Sequence, residues 1–288
     1  MEFVVHRPAP PLSALVETIT YFSSWTPDHL RERLIPDGAI EIVVDLTERP
    51  KRLFDAPEGG PGRDFSKAWI SGMHRSPIII EAQAQSSMFV IRFRPGAMPA
   101  MIGHDAESLT DRVEPLADIV GKAAASLRDR LLEAQGATAR IAAGTAWLLE
   151  RRPSDSWTPR PLGFALRRLA DPAGVRVGEL ADDAGVSARQ LQKLFRKWVG
   201  VSPKQYARIR RFQHLLATLS PGRGEGAEDL FLRGEKLGEP DWARLAAATG
   251  YADQPHLVHE FRAFSGVTPS TYVSAYRGLS NYLPIGVA

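Results

Sequence analysis

The segment from Val177 to Tyr206, VGELADDAGVSARQLQKLFRKWVGVSPKQY, determines how the second half of the chain folds. Its first apolar stretch is interrupted at Gly185, a residue type that ends helices by adopting a left-handed backbone conformation. Two residues later, Ser187 and Gln190 have the spacing of a capping box, which predicts the start of a second helix. The segment therefore predicts two helices joined by a short glycine turn, as in a helix-turn-helix.

The second of these helices has one apolar face and one basic face. Apolar side chains recur at helical spacing, which predicts a face packed against a core; they are Leu191, Leu194, Phe195 and Trp198. Residues 187–214 include eight basic side chains and no acidic one. Such unopposed charge indicates a phosphate backbone as partner. The alternative is a solvated helix face that binds nothing.

A second copy of the pattern follows, from Leu245 to Tyr272, LAAATGYADQPHLVHEFRAFSGVTPSTY. Gly185 matches Gly250 at a shift of 65 residues. Four later positions match at a shift of 66: Phe195, Gly200, Pro203 and Tyr206 match Phe261, Gly266, Pro269 and Tyr272. The second copy therefore has one extra residue in its turn. A repeated unit is much less frequent by chance than a single one.

The two segments together resemble the DNA-binding half of AraC/XylS-type transcription regulators. In that family a glycine, Ser/Thr-Pro and a tyrosine close each motif, as Gly200, Ser202, Pro203 and Tyr206 do here. The resemblance covers about the last 110 residues. It implies two helix-turn-helix motifs joined by one long helix, with a double-stranded promoter operator as partner. RNA polymerase is a further candidate partner.

The joining helix is predicted to start at Ser202 and Pro203, a cap followed by a proline at the first helical position. It can run to Leu219, roughly 25 Å at 1.5 Å per residue. Successive major-groove faces of one duplex lie about 34 Å apart, so two recognition helices could enter neighbouring grooves. Residues 220–239 contain five glycines and form a longer connection than the family has. They predict a surface loop with one helical turn near 227–233.

Exposed positions on the two recognition helices predict which residues contact DNA. Arginine and lysine suit guanine, and glutamine suits adenine; the predicted base contacts are Arg189, Gln192, Lys193, Gln254, His256 and His259. Predicted phosphate contacts, which position the protein without reading sequence, are Arg196, Lys197, Arg208 and Arg262. A metal bound by the two histidines is disfavoured, because no third ligand lies close in the sequence.

The first half of the chain predicts strands and then helices. Candidate strands are residues 17–22, 31–35, 39–46, 68–72, 78–83 and 88–93, with hairpin-turn chemistry at 36–38 and a loop at 55–63. The pattern predicts a small barrel or sandwich, and the resemblance implies a cupin-like barrel. Helical spacing follows over 97–152. Those helices form a dimer interface or pack on their own barrel, two alternatives that the sequence leaves open.

The predicted fold class is α+β, with an N-terminal β-rich cupin-like barrel and helices, and a C-terminal all-α tandem helix-turn-helix domain. The predicted boundaries are 1–152 for the sensor and dimerisation domain, 153–161 for a proline-rich linker, and 162–288 for the DNA-binding domain.

Arginines and tryptophans in the β-rich half predict an anionic, ring-bearing effector. The candidate ligand-binding residues are Arg31, Arg33, Arg92, Arg94, Trp25 and Trp69. In the alternative, these arginines pair with carboxylates such as Glu41 and Asp45. Asp64-x-Ser66 followed by Trp69 resembles part of the PilZ-type signature, without its glycine, which adds a nucleotide second messenger to the candidate effectors.

Composition excludes several functions. The 288 residues have a net charge of +3 and no cysteine. This rules out disulfides, thiolate metal sites and the methyl-accepting repair regulators that carry a similar module. No apolar run approaches the ~18 residues of a membrane span, and the N-terminus lacks a signal-peptide pattern, so a cytoplasmic protein without membrane contact is expected. We expect no enzyme activity and no cofactor, because neither a catalytic constellation nor clustered metal ligands occur.

The sequence thus predicts a DNA-binding transcription regulator controlled by a small anionic effector, with a homodimer as a candidate assembly. The first alternative is an effector-independent DNA-binding protein whose N-terminal domain only dimerises or binds a protein. The second is a metal-dependent cupin enzyme fused to a DNA-binding domain, which the scattered histidines disfavour.

Overall fold

The computed structural model describes residues 2–56, 61–65, 67–153, 157–170, 175–219, 237–238 and 240–287. Its strands are β1 Glu2–His6, β2 Val16–Trp25, β3 His29–Leu34, β4 Glu41–Asp45, β5 Lys51–Phe54, β6 Gly62–Phe65, β7 Ala68–Ser71, β8 Ile78–Glu81, β9 Ser86–Phe93, β10 Val113–Pro115 and β11 Tyr282–Val287. Its helices are α1 Met98–Ile102, α2 Leu116–Val120, α3 Lys122–Glu133, α4 Gly136–Leu149, α5 Arg160–Arg168, α6 Leu180–Asp183, α7 Ala188–Val199, α8 Pro203–Leu219, α9 Trp242–Ala248, α10 Gln254–Ser265 and α11 Pro269–Ala275. A 3₁₀ helix at Ala106–Leu109 follows α1.

The strands form two antiparallel sheets. The first sheet has the order β1-β2-β9-β4-β7-β10, and the second has the order β11-β3-β8-β5-β6. All six predicted strands are present. Strand β1 and the short strands β5, β6 and β10 were not predicted; sequences such as GRDF and VEP lack the alternating apolar pattern of a strand. The α+β fold class is confirmed.

The predicted cupin-like barrel is not closed, because no strand ladder among the described residues joins the two sheets. The turn at 36–38 forms, with the Asp37 carboxylate accepting the Ala39 N–H at 3.1 Å and Gly38 at φ 82°. However, it carries the chain from β3 in the second sheet to β4 in the first, so the expected hairpin does not form. The result is an open pair of sheets.

Helices α3 and α4 cover the first sheet. Phe89 and Ile91 on β9 are fully buried. Gly144 on α4 lies directly over Phe89, since a Cβ at this glycine would be 2.2 Å from the ring. Trp147 is also buried, and its Nε1 donates to the Ala123 carbonyl at 3.1 Å. These helices therefore pack on their own domain, and the dimer interface remains a prediction for their outer face.

The first helix-turn-helix consists of α6 and α7. Gly185 has φ 70°, as the predicted turn requires. Both bonds of the predicted capping box form: the Gln190 N–H donates to Ser187 Oγ at 3.2 Å, and the Ser187 N–H donates to Gln190 Oε1 at 2.9 Å. The left-handed Gly200, at φ 95°, ends α7.

The second motif consists of α9 and α10. Its turn begins at Gly250, at φ 78°, and α10 is capped by Asp253, whose carboxylate accepts the His256 N–H at 2.7 Å. Two residues separate the glycine from the cap, whereas one does so in the first motif. The extra residue therefore lies in the turn, as the repeat predicted.

Helix α8 contributes to the cores of both motifs and has the predicted extent. Near its start, Tyr206 packs on Phe195 of α7 with ring centroids 5.9 Å apart. Near its end, Phe212 lies 5.2 Å from Phe261 and 5.1 Å from Phe264 of α10. One helix thus fixes each recognition helix through its own aromatic cluster.

The final strand returns to the N-terminal half. β11 pairs antiparallel with β3 at the edge of the second sheet, with Leu283 opposite Arg33. A strand at this end of the chain was not predicted within the all-helical domain. Helix α5 begins at Arg160, inside the predicted linker. Ser66, residues 57–60 of the predicted loop, residues 154–156 of the linker and the predicted helical turn at 227–233 lie outside the described residues.

Candidate nucleic-acid interface and effector sites

The first recognition helix presents a continuous polar face. Arg189, Gln192 and Lys193 are exposed, while Leu191 and Phe195 on the opposite side are buried. Positions three and four apart are neighbours on a helix, so these three side chains share one surface. They lie in the N-terminal half of α7, the part of a recognition helix that contacts base edges.

Arg196 and Lys197 follow on the same helix and face acidic residues of the N-terminal half. Arg196 Nε lies 3.8 Å from Glu107 Oε1, and Lys197 Nζ lies 3.8 Å from Asp105 Oδ1. All four side chains are more than half exposed, so these pairs contribute little stability. Both cations therefore remain accessible to phosphate, beside carboxylates that compete with it.

The second recognition helix is less charged on its outer face. Gln254, His259 and Arg262 are exposed. His256 is half-buried; its Nδ1 accepts the Ala252 N–H at 3.3 Å, and its ring meets Tyr251 edge to face. In the part of the chain that the structure describes, no three histidine, aspartate or glutamate side chains group as metal ligands.

Arg208 is only a third exposed, and its guanidinium is engaged by other side chains of the protein. Its guanidinium donates to both carboxylate oxygens of Glu260 on α10, at 2.9 and 2.6 Å, and to Gln205 Oε1 at 2.7 Å. Burial alone would raise the pKa of Glu260, but the hydrogen bonds and charge of Arg208 outweigh burial and lower it. Arg208 is thus committed to an internal ion pair that joins α8 to the second motif, against its prediction as a phosphate contact.

Two neighbouring arginines on α8 also have internal partners. Arg210 Nη2 donates to the Ala170 carbonyl at 3.3 Å, and Arg211 lies 5.7 Å from the ring centre of Tyr251. The eight basic residues predicted as one cationic surface therefore divide into two groups. The four on α7 and Lys204 on α8 are exposed, whereas Arg208, Arg210 and Arg211 on α8 contact other parts of the protein.

The predicted effector residues are not brought together. Arg92 on β9 is surrounded by three carboxylates: it pairs with Glu17 at 3.1 Å, with Glu41 at 2.7 Å, and with Asp37. Burial raises the pKa of Glu41 even though Arg92 opposes this. The alternative interpretation, pairing with carboxylates, is therefore correct for Arg92.

The other predicted effector residues lie elsewhere. Arg31 and Arg33 are on β3 in the second sheet, where Arg31 lies 4.3 Å from the Phe54 ring centre and Arg33 is buried beside Gly266 of the second motif. Arg94 is exposed and donates to the Ser13 carbonyl at 2.5 Å. Trp25 and Trp69 are on β2 and β7, three strands apart in the first sheet and so about 14 Å or more from each other. These side chains do not form one pocket.

Space between the sheets is also small near Arg92. A pocket of about 50 Å³ is lined by Asp37, Glu41, Ser71, His74 and Tyr282, among others. Pockets for drug-sized ligands measure about 300–1,000 Å³. This pocket is therefore too small for a nucleotide.

No helix among the described residues combines the length and the apolar character needed to cross a bilayer.

Two family models match the chain. Bacterial regulatory helix-turn-helix proteins, AraC family, match residues 172–208, which contain α6, α7 and the start of α8. A domain of unknown function, DUF6597, matches residues 4–115, which contain the end of β1 and all of β2 to β10. No curated protein matches the chain.

Among solved structures, ToxT from Vibrio cholerae matches with a TM-score of 0.47 and 8% identity, covering 95% of this chain and 98% of ToxT. An unsaturated fatty acid-bound wild-type ToxT from Vibrio cholerae matches with a TM-score of 0.45 and 11% identity, covering 96% of both chains. The AraC-like transcriptional activator CuxR matches with a TM-score of 0.25 and 15% identity, covering 74% of this chain and 86% of CuxR. The capped recognition helix, the second copy of the motif and the matching family model together identify a helix-turn-helix of the AraC family at residues 172–208 of this chain.

Proposed function

We propose that the chain holds one promoter operator with both recognition helices, α7 and α10, and that a small anionic effector acting on its N-terminal half controls this binding. The observation that carries the first part is the shared helix α8, which packs on α7 through Tyr206 and on α10 through Phe212. Because one rigid element fixes both recognition helices, their spacing is set before the protein binds DNA, and this lowers the entropic cost of binding.

Base reading is assigned to the exposed side chains nearest the start of each helix. In the first motif Arg189, Gln192 and Lys193 offer donors and an amide suited to guanine and adenine. In the second motif Gln254 and His259 occupy the corresponding exposed face. The accessible cations Arg196, Lys197 and Arg262 supply phosphate contacts, which orient the helices on the duplex.

Control by the N-terminal half is supported by its contacts with both motifs. Thr110 Oγ1 donates to the Gly200 carbonyl at 2.6 Å, at the end of the first recognition helix. Gln213 of α8 donates to the Pro36 carbonyl at 2.8 Å, and β11 joins the second sheet. A ligand that favours one arrangement of these contacts would shift DNA affinity, since coupling needs only a difference in binding between two states.

The alternative function is an effector-independent regulator whose N-terminal half dimerises or binds another protein, with RNA polymerase as one candidate. The saturated pairing of Arg92 and the 50 Å³ pocket favour it over an effector bound between the sheets. A homodimer through the outer face of α3 and α4 is compatible with either function.

The test is selection of binding sites from a pool of random duplexes by the full chain. The proposal predicts enrichment of one sequence that contains two contacted segments, with a specificity ratio of at least about 10³ over random duplex. Recovery of unenriched sequence, or equal affinity for all duplexes at fixed salt, would contradict it.

A further inference from the structure

A cleft of about 540 Å³ separates the N-terminal half from the first helix-turn-helix. Its N-terminal wall includes Arg75, Glu107 and Arg112, and its other wall includes Arg196 and residues 200–202 and 205 around the start of α8. The volume lies within the range of small-molecule sites, which occur preferentially at interfaces between domains. None of the predicted effector residues lines this cleft.

Two guanidinium groups in the cleft lack hydrogen-bond acceptors among the described residues. Arg112 Nη1 lies 3.9 Å from Glu114 Oε1, and Arg196 Nε lies 3.8 Å from Glu107 Oε1, both beyond hydrogen-bonding distance. Arg75 differs, because Asp111 accepts from it at 2.5 and 2.6 Å. The cleft therefore presents two forked donors from opposite walls, and each is more than half exposed.

Both walls also supply neutral polar groups. The Ser108 hydroxyl donates to the Asp105 carbonyl at 2.7 Å, and on the opposite wall Ser202 Oγ caps the first turn of α8 by accepting the Gln205 N–H at 3.2 Å. The N-terminal end of this 17-residue helix adds partial positive charge to the same wall.

We propose that this cleft binds a small anion bearing phosphate or carboxylate groups, held between Arg112 of the N-terminal half and Arg196 of the first recognition helix. Guanidinium groups match both chemistries through paired N–H donors, which a lysine cannot do. The inference deepens the proposed function, because it gives the effector a site at the junction of the two halves instead of between the sheets.

The position of the cleft specifies a direction of control. Arg196 is also an assigned phosphate contact, so an anion in the cleft competes with the DNA backbone for the same guanidinium. Occupancy therefore lowers the affinity for DNA. Glu107 also lines the cleft, and its carboxylate lies 3.8 Å from the Arg196 guanidinium. Removal of its charge should strengthen anion binding.

The test is isothermal titration calorimetry on the full chain without DNA, with pyrophosphate and citrate as separate probes at constant ionic strength. At least one probe should bind the native chain with 1:1 stoichiometry. Its affinity should fall at least about tenfold in Arg112→Gln and in Arg196→Gln, as expected when a charged hydrogen-bonding group is lost. It should rise severalfold in Glu107→Gln. Binding of pyrophosphate alone or citrate alone identifies which anion chemistry the cleft takes.

Matched controls are Arg7→Gln and Arg176→Gln, exposed arginines outside the cleft, which should leave the affinity unchanged. Because Arg112 and Glu107 are 65% and 57% exposed, their variants should fold, and equal melting temperatures check this. The proposal is overturned if neither probe binds, if the control variants lose as much as Arg112→Gln, or if Glu107→Gln weakens binding.

Binding to random duplex distinguishes a site for a small anion from a contact with the DNA backbone. Arg112→Gln should bind random duplex like the native chain when no probe is added. A loss there equal to that of Arg196→Gln would assign the cleft to the DNA interface and overturn the small-anion proposal. Failure of the DNA-binding proposal would leave the calorimetric result unchanged, so the two outcomes are distinguishable.

Discussion

The two helix-turn-helix motifs share one framework and differ in how they are held and charged. The first motif presents four exposed cations on α7, and α7 contains no acidic residue. The second presents one exposed arginine on α10, and its only helical glutamate, Glu260, is paired internally with Arg208. The first motif is therefore suited to anchor the DNA by charge, whereas the second is positioned by packing on α8 and by its connection to the second sheet.

The largest expected effect tests whether packing on α8 holds the second motif in place. Phe212→Ala removes a fully buried ring between Phe261 and Phe264 and should destabilise the chain by about 3–5 kcal/mol. Urea unfolding measures the change in the free energy of unfolding. The control is Leu149→Ala on α4, where Leu149 is 40% exposed and the expected loss is below about 1 kcal/mol. A small loss at Phe212 would show that α8 does not hold the second motif.

The Arg208–Glu260 pair should be the next most sensitive link. Arg208→Ala leaves a buried carboxylate without its partner and should cost about 3 kcal/mol, at the low end for buried pairs because Arg208 is a third exposed. Arg196→Ala, the matched change on α7, should cost less than about 0.5 kcal/mol. The double variant Arg208→Met with Glu260→Leu should recover most of the loss. Equal losses for both arginines would remove the distinction between an internal and an external cation.

Base reading should depend on both motifs. Gln192→Ala and Lys193→Ala should each weaken operator binding by about 1–3 kcal/mol and change binding to random duplex much less. Gln254→Ala tests the corresponding face of α10 and should show the same selectivity. Fluorescence anisotropy on both duplexes gives the two affinities. A loss of equal size on operator and random duplex would exclude these side chains from direct reading.

Acid should weaken the second motif through Glu260. Its pKa is lowered in the folded chain relative to about 4.3 in an unfolded one. The ion pair therefore contributes stability above pH ~4.3. That contribution is lost as the pH falls through the lower folded pKa. Unfolding midpoints measured from pH 7 to pH 3 should fall more steeply for the native chain than for Glu260→Gln. Parallel curves would contradict this role of the pair.

The smallest effect concerns salt. Arg196→Ala or Lys197→Ala should each reduce the slope of log affinity against log salt by up to about 1. Arg262→Ala in the second motif should reduce it less, because Arg262 is the single exposed cation on α10. Anisotropy titrations over 50–200 mM salt provide the slopes. Equal reductions in both motifs would remove the charge asymmetry.

Local patterns predicted the parts of the fold that depend on neighbouring residues. The cap at Ser187, the turn at Gly185 and the extent of α8 follow from spacing within a few positions, and the structure confirms them. Partners distant in sequence could not be predicted: Arg208 and Glu260 are 52 residues apart, and Arg92 and Asp37 are 55 apart. Each of these arginines looked available as a ligand contact because nothing in its own segment opposes its charge.

The open sheets and the returning strand were missed for the same reason. The turn at 36–38 has hairpin chemistry, but only the pairing of β3 with β8 and β11 shows that its two strands belong to different sheets. The cleft beside Arg196 is formed by residues from 75 to 205 and has no local signature.

The central claim, that two recognition helices joined by α8 act on one duplex, is tested most directly by hydroxyl-radical footprinting on the selected operator. The account predicts two protected segments on one face of the duplex, about one helical turn of 10–10.5 base pairs apart. Insertion of five base pairs between them should abolish the second protection. A single protected segment that is insensitive to the insertion would contradict the claim.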